Sequence, residues 1–190
     1  MSAREAILAN VRVNQPSGAF PLPDLPSFAL EGSSDLVGLF RKNLETMGGR
    51  HHAGEVGSCI HQLFADAKVI VSTVPDFAGN RPIVANVNPR ELADVDVAIT
   101  RASFGVAETG SVMLVDKTLI SNAIAYLAQH LVVLLDSAEI VPTIQDAYRR
   151  PEFHRHRYAS FHTGPSATAD IEGVLIHGAQ GVRSLTVVIA

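Results

Sequence analysis

"HLVVLLDS", His130 to Ser137, decides the fold class. Leu131 to Leu135 are apolar without a break, so the run offers no polar face to water. A strand with one wet face alternates apolar and polar residues, whereas one buried on both faces does not. The run is also far too short to span a bilayer. It is the clearest strand of the chain, and its pattern predicts cover on both sides. Working outward, "KVIVST" (Lys68 to Thr73), "DVAITRA" (Asp96 to Ala102), "SVMLVD" (Ser111 to Asp116), "RYASFH" (Arg157 to His162) and "SLTVVIA" (Ser184 to Ala190) read as further strands. Helical spacing falls between them. Residues 34–47 repeat apolar groups at Leu36, Val37, Phe40, Leu44 and Met47, and Gly48-Gly49 ends that helix. Residues 55–66 do the same with Val56, Ile60, Leu63 and Phe64. Ile140, Val141, Ile144 and Tyr148 share a face over 139–149, and 167–178 reads as one more helix. Strands alternating with helices predict an α/β fold with a mostly parallel sheet, layered on both faces.

The N-terminal part reads differently. Residues 2–13 form a short amphipathic pattern with Ile7, Leu8 and Val11 on one side. "NQPSGAFPLPDLPS" then carries four prolines, which fix the backbone and remove donors. Residues 1–33 are therefore expected to be a helix and an extended arm, and 34–190 one α/β domain. The arm's Phe20, Leu22, Leu25 and Phe28 form a candidate interaction surface.

Bulk composition narrows the function classes. The chain has 190 residues, 47% hydrophobic and 18% charged, as in ordinary globular domains. A net charge of -4 without a basic run gives nucleic acid or a membrane surface no electrostatic attraction. The start, "MSAREAILANVR", has charges where a signal peptide needs an apolar run, which predicts a cytoplasmic protein. Cys59 is the one cysteine. It cannot staple the fold, nor alone hold a zinc or an iron–sulfur cluster.

Two loops carry the candidate chemistry. "FGVAETGSV", Phe104 to Val112, sets Glu108 and Thr109 between Gly105 and Gly110, beside Ser111. A carboxylate among small residues and hydroxyls can act as base, nucleophile or hydrogen-bond acceptor. The structural alternative is a glycine-rich hairpin with a solvated glutamate. "TGPSAT", Thr163 to Thr168, sets Gly164-Pro165-Ser166 ahead of the helical pattern, where Ser166 or Thr168 could cap free amides or those amides could meet an anion. A helix end offers about 0.3–1 kcal/mol to a charge, up to about 2 when partly buried, whereas micromolar binding needs about 8. The turn by itself is thus a cap, and Asp170 and Glu172 already complement the helix start. Elsewhere, the His154 and His156 pair in "FHRHRY" reads as a basic surface, Cys59 as a packed side chain, and no metal site is expected.

Together, "GVAETGSVML" and "TGPSATADIEGVLIHGAQG" resemble the LUD-domain family, in its lactate-utilisation protein C branch. The matching residues are Glu108-Thr109-Gly110, Gly164-Pro165-Ser166, Thr168 to Glu172, and Gly178 with Gly181. The resemblance covers roughly residues 35–190. It implies a three-layer α/β sandwich similar to the ribose-phosphate isomerase and coenzyme A transferase fold. It further implies an accessory subunit of a system oxidising L-lactate to pyruvate, binding a small anionic metabolite or helping assemble partner subunits that carry iron–sulfur clusters. The single cysteine accords with no cofactor bound by this chain. Two departures stand out: Ala167 occupies a place where the family often has arginine, and Gln180-Gly181-Val182 replaces a frequent His-Gly-Pro. The alternative is a stand-alone transferase or ligase acting on an acyl-CoA, nucleotide or folate-like substrate.

Ligands of parallel α/β sheets bind beyond the carboxyl ends of the strands. If both loops follow parallel strands, they share one crevice. The expected site then has Glu108 as catalytic carboxylate near the helix start at Ser166. Gly105, Thr109, Gly110, Gly164, Ser166, Thr168 and Asp170 would bind substrate, with Arg101 as counter-charge.

Overall fold

A computed structural model describes residues 2–21, 23, 24, 26, 28, 35–169 and 173–190. The helices are α1 (Ala3–Val13), α2 (Leu36–Thr46), α3 (Val56–Leu63), α4 (Asp116–Leu119), α5 (Ile124–Leu127), α6 (Ile144–Arg149) and α7 (Pro151–Arg155). The first strands are β1 (Arg50–Ala53), β2 (Ile70–Ser72), β3 (Val97–Arg101), β4 (Phe104–Val106) and β5 (Ser111–Val115). They are followed by β6 (His130–Leu135), β7 (Ile140–Val141), β8 (Ala159–His162), β9 (Ala167–Thr168), β10 (Ile176–His177) and β11 (Ser184–Ile189).

The central sheet has the order β1-β11-β6-β3-β2, and every pairing in it is parallel. The run at 130–135 lies in its middle, as its unbroken hydrophobicity requires. Val132 and Leu134 face a cluster completed by Val56, Cys59 and Ile60 of α3. Leu131, Val133 and Leu135 face the opposite way, into the main core with Phe40 and Leu44 of α2, Leu119 of α4 and Ile124 of α5. Cys59 is fully buried, and burial pushes its thiol up to about 11, so it packs as a small apolar group.

The second layer of β-structure departs from the sequence reading. The strands at 111–115 and 159–162 do not join the parallel sheet. They pair antiparallel with each other in a four-stranded sheet, β7-β4-β5-β8, in which β4 and β5 form a hairpin. Alternation explains how one sheet serves two cores. Val112 and Leu114 face the main core, whereas Met113 and Val115 face an outer cluster with Phe104, Val106 and Ala147. An apolar strand buried on both faces is equally legible in either kind of sheet, because burial sets hydrophobicity and direction does not.

Two predicted helices are also corrected. Over 139–149, Ile140 and Val141 are a strand beside Gly105 and Val106, and only 144–149 is helical. Pro142 separates the two, and Thr143 with Asp146 forms a capping box that starts α6. Over 167–178, the described residues form a hairpin instead of a helix: Ala167 and Thr168 pair antiparallel with His177 and Ile176. The Ser166 N–H donates to Val182 O and the Gly178 N–H to Ser166 O, each at 2.9 Å, so backbone groups find partners across the chain and not along it. Ser166 and Thr168 are therefore not helix caps. Asp170 and Glu172 lie outside the described residues.

The N-terminal helix is present, started by a capping box from Ser2 and Glu5, and buries none of its residues. The arm touches the domain at α6. Phe28 N–H donates to Gln145 Oε1 at 3.1 Å, and Gln145 Nε2 donates to Pro26 O at 3.2 Å. Phe20 and Phe28 are exposed, whereas Leu22 and Leu25 lie outside the described residues. Among the described residues no helix is long and apolar enough to cross a membrane.

Candidate functional site

The end of α2 is the surface on which both candidate loops are built. The β4–β5 turn closes over it. Asn43 Nδ2 donates to Ala107 O at 2.8 Å and to Glu108 O at 2.9 Å. Gly110 has φ +67, and a Cβ there would lie 2.2 Å from the Leu44 nitrogen. Only glycine allows both that conformation and that approach. The second loop rests one turn further on. Gly164 has φ +75, and its Cβ would lie 2.1 Å from Met47 O. Both glycines are thus fixed by α2, a helix that sequence motifs do not connect with either loop.

Resting on one helix brings the loops together. Ser111 Oγ is hydrogen-bonded to Thr109 Oγ1 at 2.7 Å and to Thr163 Oγ1 at 2.5 Å. This chain of three hydroxyls lines a cavity of about 480 Å³. Asn43 and Thr46 of α2 and Met47, which caps its end, form one wall, and Glu108, Ile144 and Phe161 complete it. That size suits a small metabolite.

Glu108 sits on this cavity, but not at the helix start expected for it. Its Oε2 accepts the Ile144 N–H at 2.8 Å, so it caps α6 and not the segment after Ser166. Its backbone N–H donates to Pro142 O at 3.0 Å. The carboxylate ties the hairpin turn to the next layer. Among the described residues, no lysine, arginine or histidine lines the cavity.

The other expected site residues divide. Thr109 lies on the cavity, and Gly110 shapes its turn. Gly164 and Ser166 line an adjoining cavity of about 240 Å³, which shares Phe161 and Thr163 with the first. Gly105 is buried between the sheets, against Leu135 and Phe40. Thr168 belongs to β9 and lines neither cavity.

Arg101 is directed elsewhere. It ends β3, pairs with Asp76 and lines a third cavity of about 480 Å³ with Gly54, Val56 and Leu134. That cavity lies beyond the carboxyl ends of the parallel strands, the place where such sheets bind ligands. The two loops meet away from it because β8 belongs to the second sheet. Sequence reading missed Asn43, Thr46, Met47 and Thr163 as cavity residues. Asn43 was the available signal, being an amide on a helix that is otherwise apolar toward the core.

The adjoining cavity holds a histidine that sequence reading passed over. His162, at the end of β8, is mostly buried, and burial pushes its pKa down to about 4. Its Nε2 is buried without a hydrogen-bond partner. Its ring lies 5.2 Å from that of Tyr126. Tyr126 Oη contacts Tyr158 Oη and lies 3.2 Å from Ser160 Oγ. Burial, then the Tyr126 hydroxyl, pushes Tyr158 up to about 12, so it stays protonated near neutral pH.

Comparison with known proteins agrees with this architecture. A DUF162 family protein from Deinococcus radiodurans superposes with a TM-score of 0.65 over 82% of this chain and 96% of its own, at 14% identity, which speaks to fold alone. The chain is 31% identical over 105 residues to lactate utilization protein C of Anoxybacillus flavithermus. That stretch spans 55% of this chain and about half, 47%, of the relative. Residues 66–190, from before β2 to the last strand and including both loops, match the LUD domain, and the chain belongs to the LUD domain family.

Proposed function

We propose that this chain serves a system oxidising L-lactate to pyruvate, as an accessory subunit without a redox cofactor of its own. The observation that carries the reading is the convergence of the Glu108 turn and the Thr163 turn on one cavity, joined by the Ser111–Thr163 hydrogen bond. Similarity to a lactate utilization protein C gives the metabolic context. The single, buried cysteine leaves cluster chemistry to iron–sulfur partner subunits.

Electrostatics divides the two forms of this role. A lactate-sized carboxylate entering the Glu108 cavity meets another carboxylate and no cation, which disfavours it. A small anion has a cation to pair with at Arg101, where it displaces Asp76 and meets Glu55 on the same wall. We therefore assign anion binding to Arg101 and the hydroxyl-lined cavity to an uncharged group or to assembly. Deleting the gene and measuring growth on L-lactate tests the role. Loss of growth, restored by wild type and less by Arg101→Ala, supports it; unchanged growth in a strain with no second copy overturns it.

The stand-alone transferase or ligase is the second reading, favoured by Glu108 lying on a cavity of metabolite size. Turnover of an acyl-CoA, nucleotide or folate that is lost in Glu108→Gln would establish it over the accessory role.

A further inference from the structure

The cavity at His162 is unlike the one beside Glu108. Its wall comes from the end of β8, the Thr163–Ser166 turn, α5 and residues 180–182. Among the described residues, no aspartate, glutamate, lysine or arginine lines it. The polar side chains are the hydroxyls of Tyr126, Ser160, Thr163 and Ser166, the Gln180 amide and the His162 imidazole, which burial holds in its neutral form. Aromatic surface is supplied by Tyr126, Phe161 and His162.

This composition selects by chemistry. A charged group entering the cavity loses its water and finds no opposite charge, so ions are rejected. A purely apolar group covers the His162 imidazole, whose Nε2 has no partner, without supplying one, which is also costly. What fits is uncharged, carries both donors and acceptors, and presents a flat face to aromatic rings. About 240 Å³ equals about eight waters at about 30 Å³ each, room for one or two fused rings.

His162 adds an independent reason. A buried nitrogen without a partner is an unusual expense in a native protein, and such a group points to an occupant or a function. The imidazole's outer torsion is broad, so a modest ring rotation turns a nitrogen toward an entering ligand. A neutral imidazole offers one donor and one acceptor on opposite sides of the ring, so whichever nitrogen faces the cavity pairs with one acceptor or donor on the edge of a nitrogen heterocycle.

We propose that the His162 cavity binds an uncharged nitrogen heterocycle of the nucleobase class, with His162 and Tyr126 as its recognition residues. The adjoining wall at Phe161 and Thr163 then directs the ring's substituent toward the hydroxyls beside Glu108. The inference concerns a site separate from Arg101 and does not depend on the lactate reading.

The test is a titration of the full chain, carrying ¹⁵N-labelled histidine, with adenosine, adenine, hypoxanthine and nicotinamide. Ribose 5-phosphate is the control for sugar and phosphate. Saturable movement of the His162 ring-nitrogen signals by at least one heterocycle, with none from the control, is the expected result. The chain has no tryptophan and three tyrosines, Tyr126, Tyr148 and Tyr158, so the part of the tyrosine quenching that Tyr126→Phe removes reports on the cavity in parallel. His162→Phe keeps the ring and removes the nitrogens, and weakens binding about tenfold; Tyr126→Phe weakens it about threefold or more. No saturable shift at His162 with any of the four heterocycles overturns the proposal, as does undiminished affinity in folded His162→Phe. Should His162→Phe fail to fold, the wild-type titration and Tyr126→Phe decide the matter.

Discussion

Replacing Gly110 with alanine tests the claim that α2 dictates the Glu108 turn. The backbone there has φ +67, and the new methyl would sit 2.2 Å from the Leu44 nitrogen, 2.6 Å from the Asn43 carbonyl carbon and 2.6 Å from the Leu44 Cα. These are backbone atoms in the last turns of a helix, so no rotamer change relieves the contact. Holding a non-glycine residue in that conformation costs about 1–3 kcal/mol. Overpacking a filled interior costs about 1–3 kcal/mol more. The sum is about 2–6 kcal/mol, a Tm lowered by about 4–24 °C in a chain of this size. Thermal unfolding followed by circular dichroism measures it. Gly57→Ala is the matched control. A Cβ at Gly57 meets nothing within 4 Å, and the position lies in the first turn of α3, so alanine is neutral or stabilising by up to about 1 kcal/mol. If Gly110→Ala unfolds within about 1 °C of wild type, the turn does not rest on α2 and the site geometry is wrong.

Three further outcomes follow from the same geometry. In a double-mutant cycle of Ser111→Ala and Thr163→Val, denaturant unfolding should give a coupling of about 0.5–1.5 kcal/mol, and strict additivity would dissolve the link between the loops. Glu108→Ala removes the acceptor of the Ile144 N–H and should lower stability by about 0.5–2 kcal/mol, with Glu108→Gln losing less; equal losses would mean that the cap does not act through its oxygen. His162 has a folded pKa of about 4 against about 6.5 unfolded, so its neutral form is favoured by folding. Its contribution is undiminished above about pH 6.5 and is lost as pH falls toward 4. The loss totals about 3 kcal/mol, and His162→Gln should flatten that part of the stability–pH curve.

What the sequence determined by itself is most of the longer buried strands and the two loops. Nearly continuous apolar runs containing 70–72, 97–101, 111–115, 130–135 and 184–189 mark strands because burial on both faces removes the polar alternation, whereas the buried strand at 104–106 read as a loop and 140–141 as part of a helix. The glycines of the two loops were legible as special positions because side chains are excluded where backbones approach closely. The same local signals could not say which strands are parallel. "SVMLV" is apolar on both sides whether it joins the central sheet or the hairpin sheet beneath α6, since both environments are dry.

Only the tertiary structure decided the site. Residues 167–178 carry a helical spacing, yet the described part pairs as a hairpin, because Ser166 and Gly178 are tied across the loop at Val182 and Ser166. Glu108 caps a helix, as a carboxylate beside free amides does, but the helix is the one after Pro142, brought there by β7 pairing with β4. Asn43 and Met47 enter because α2 is where both glycines touch down. Arg101 leaves because its strand ends at the edge of the other sheet. Spacing along a chain records which residues must be buried and where the backbone must bend. Which bends meet depends on how the layers stack, and that depends on the sum of all packing contacts, not on any one motif.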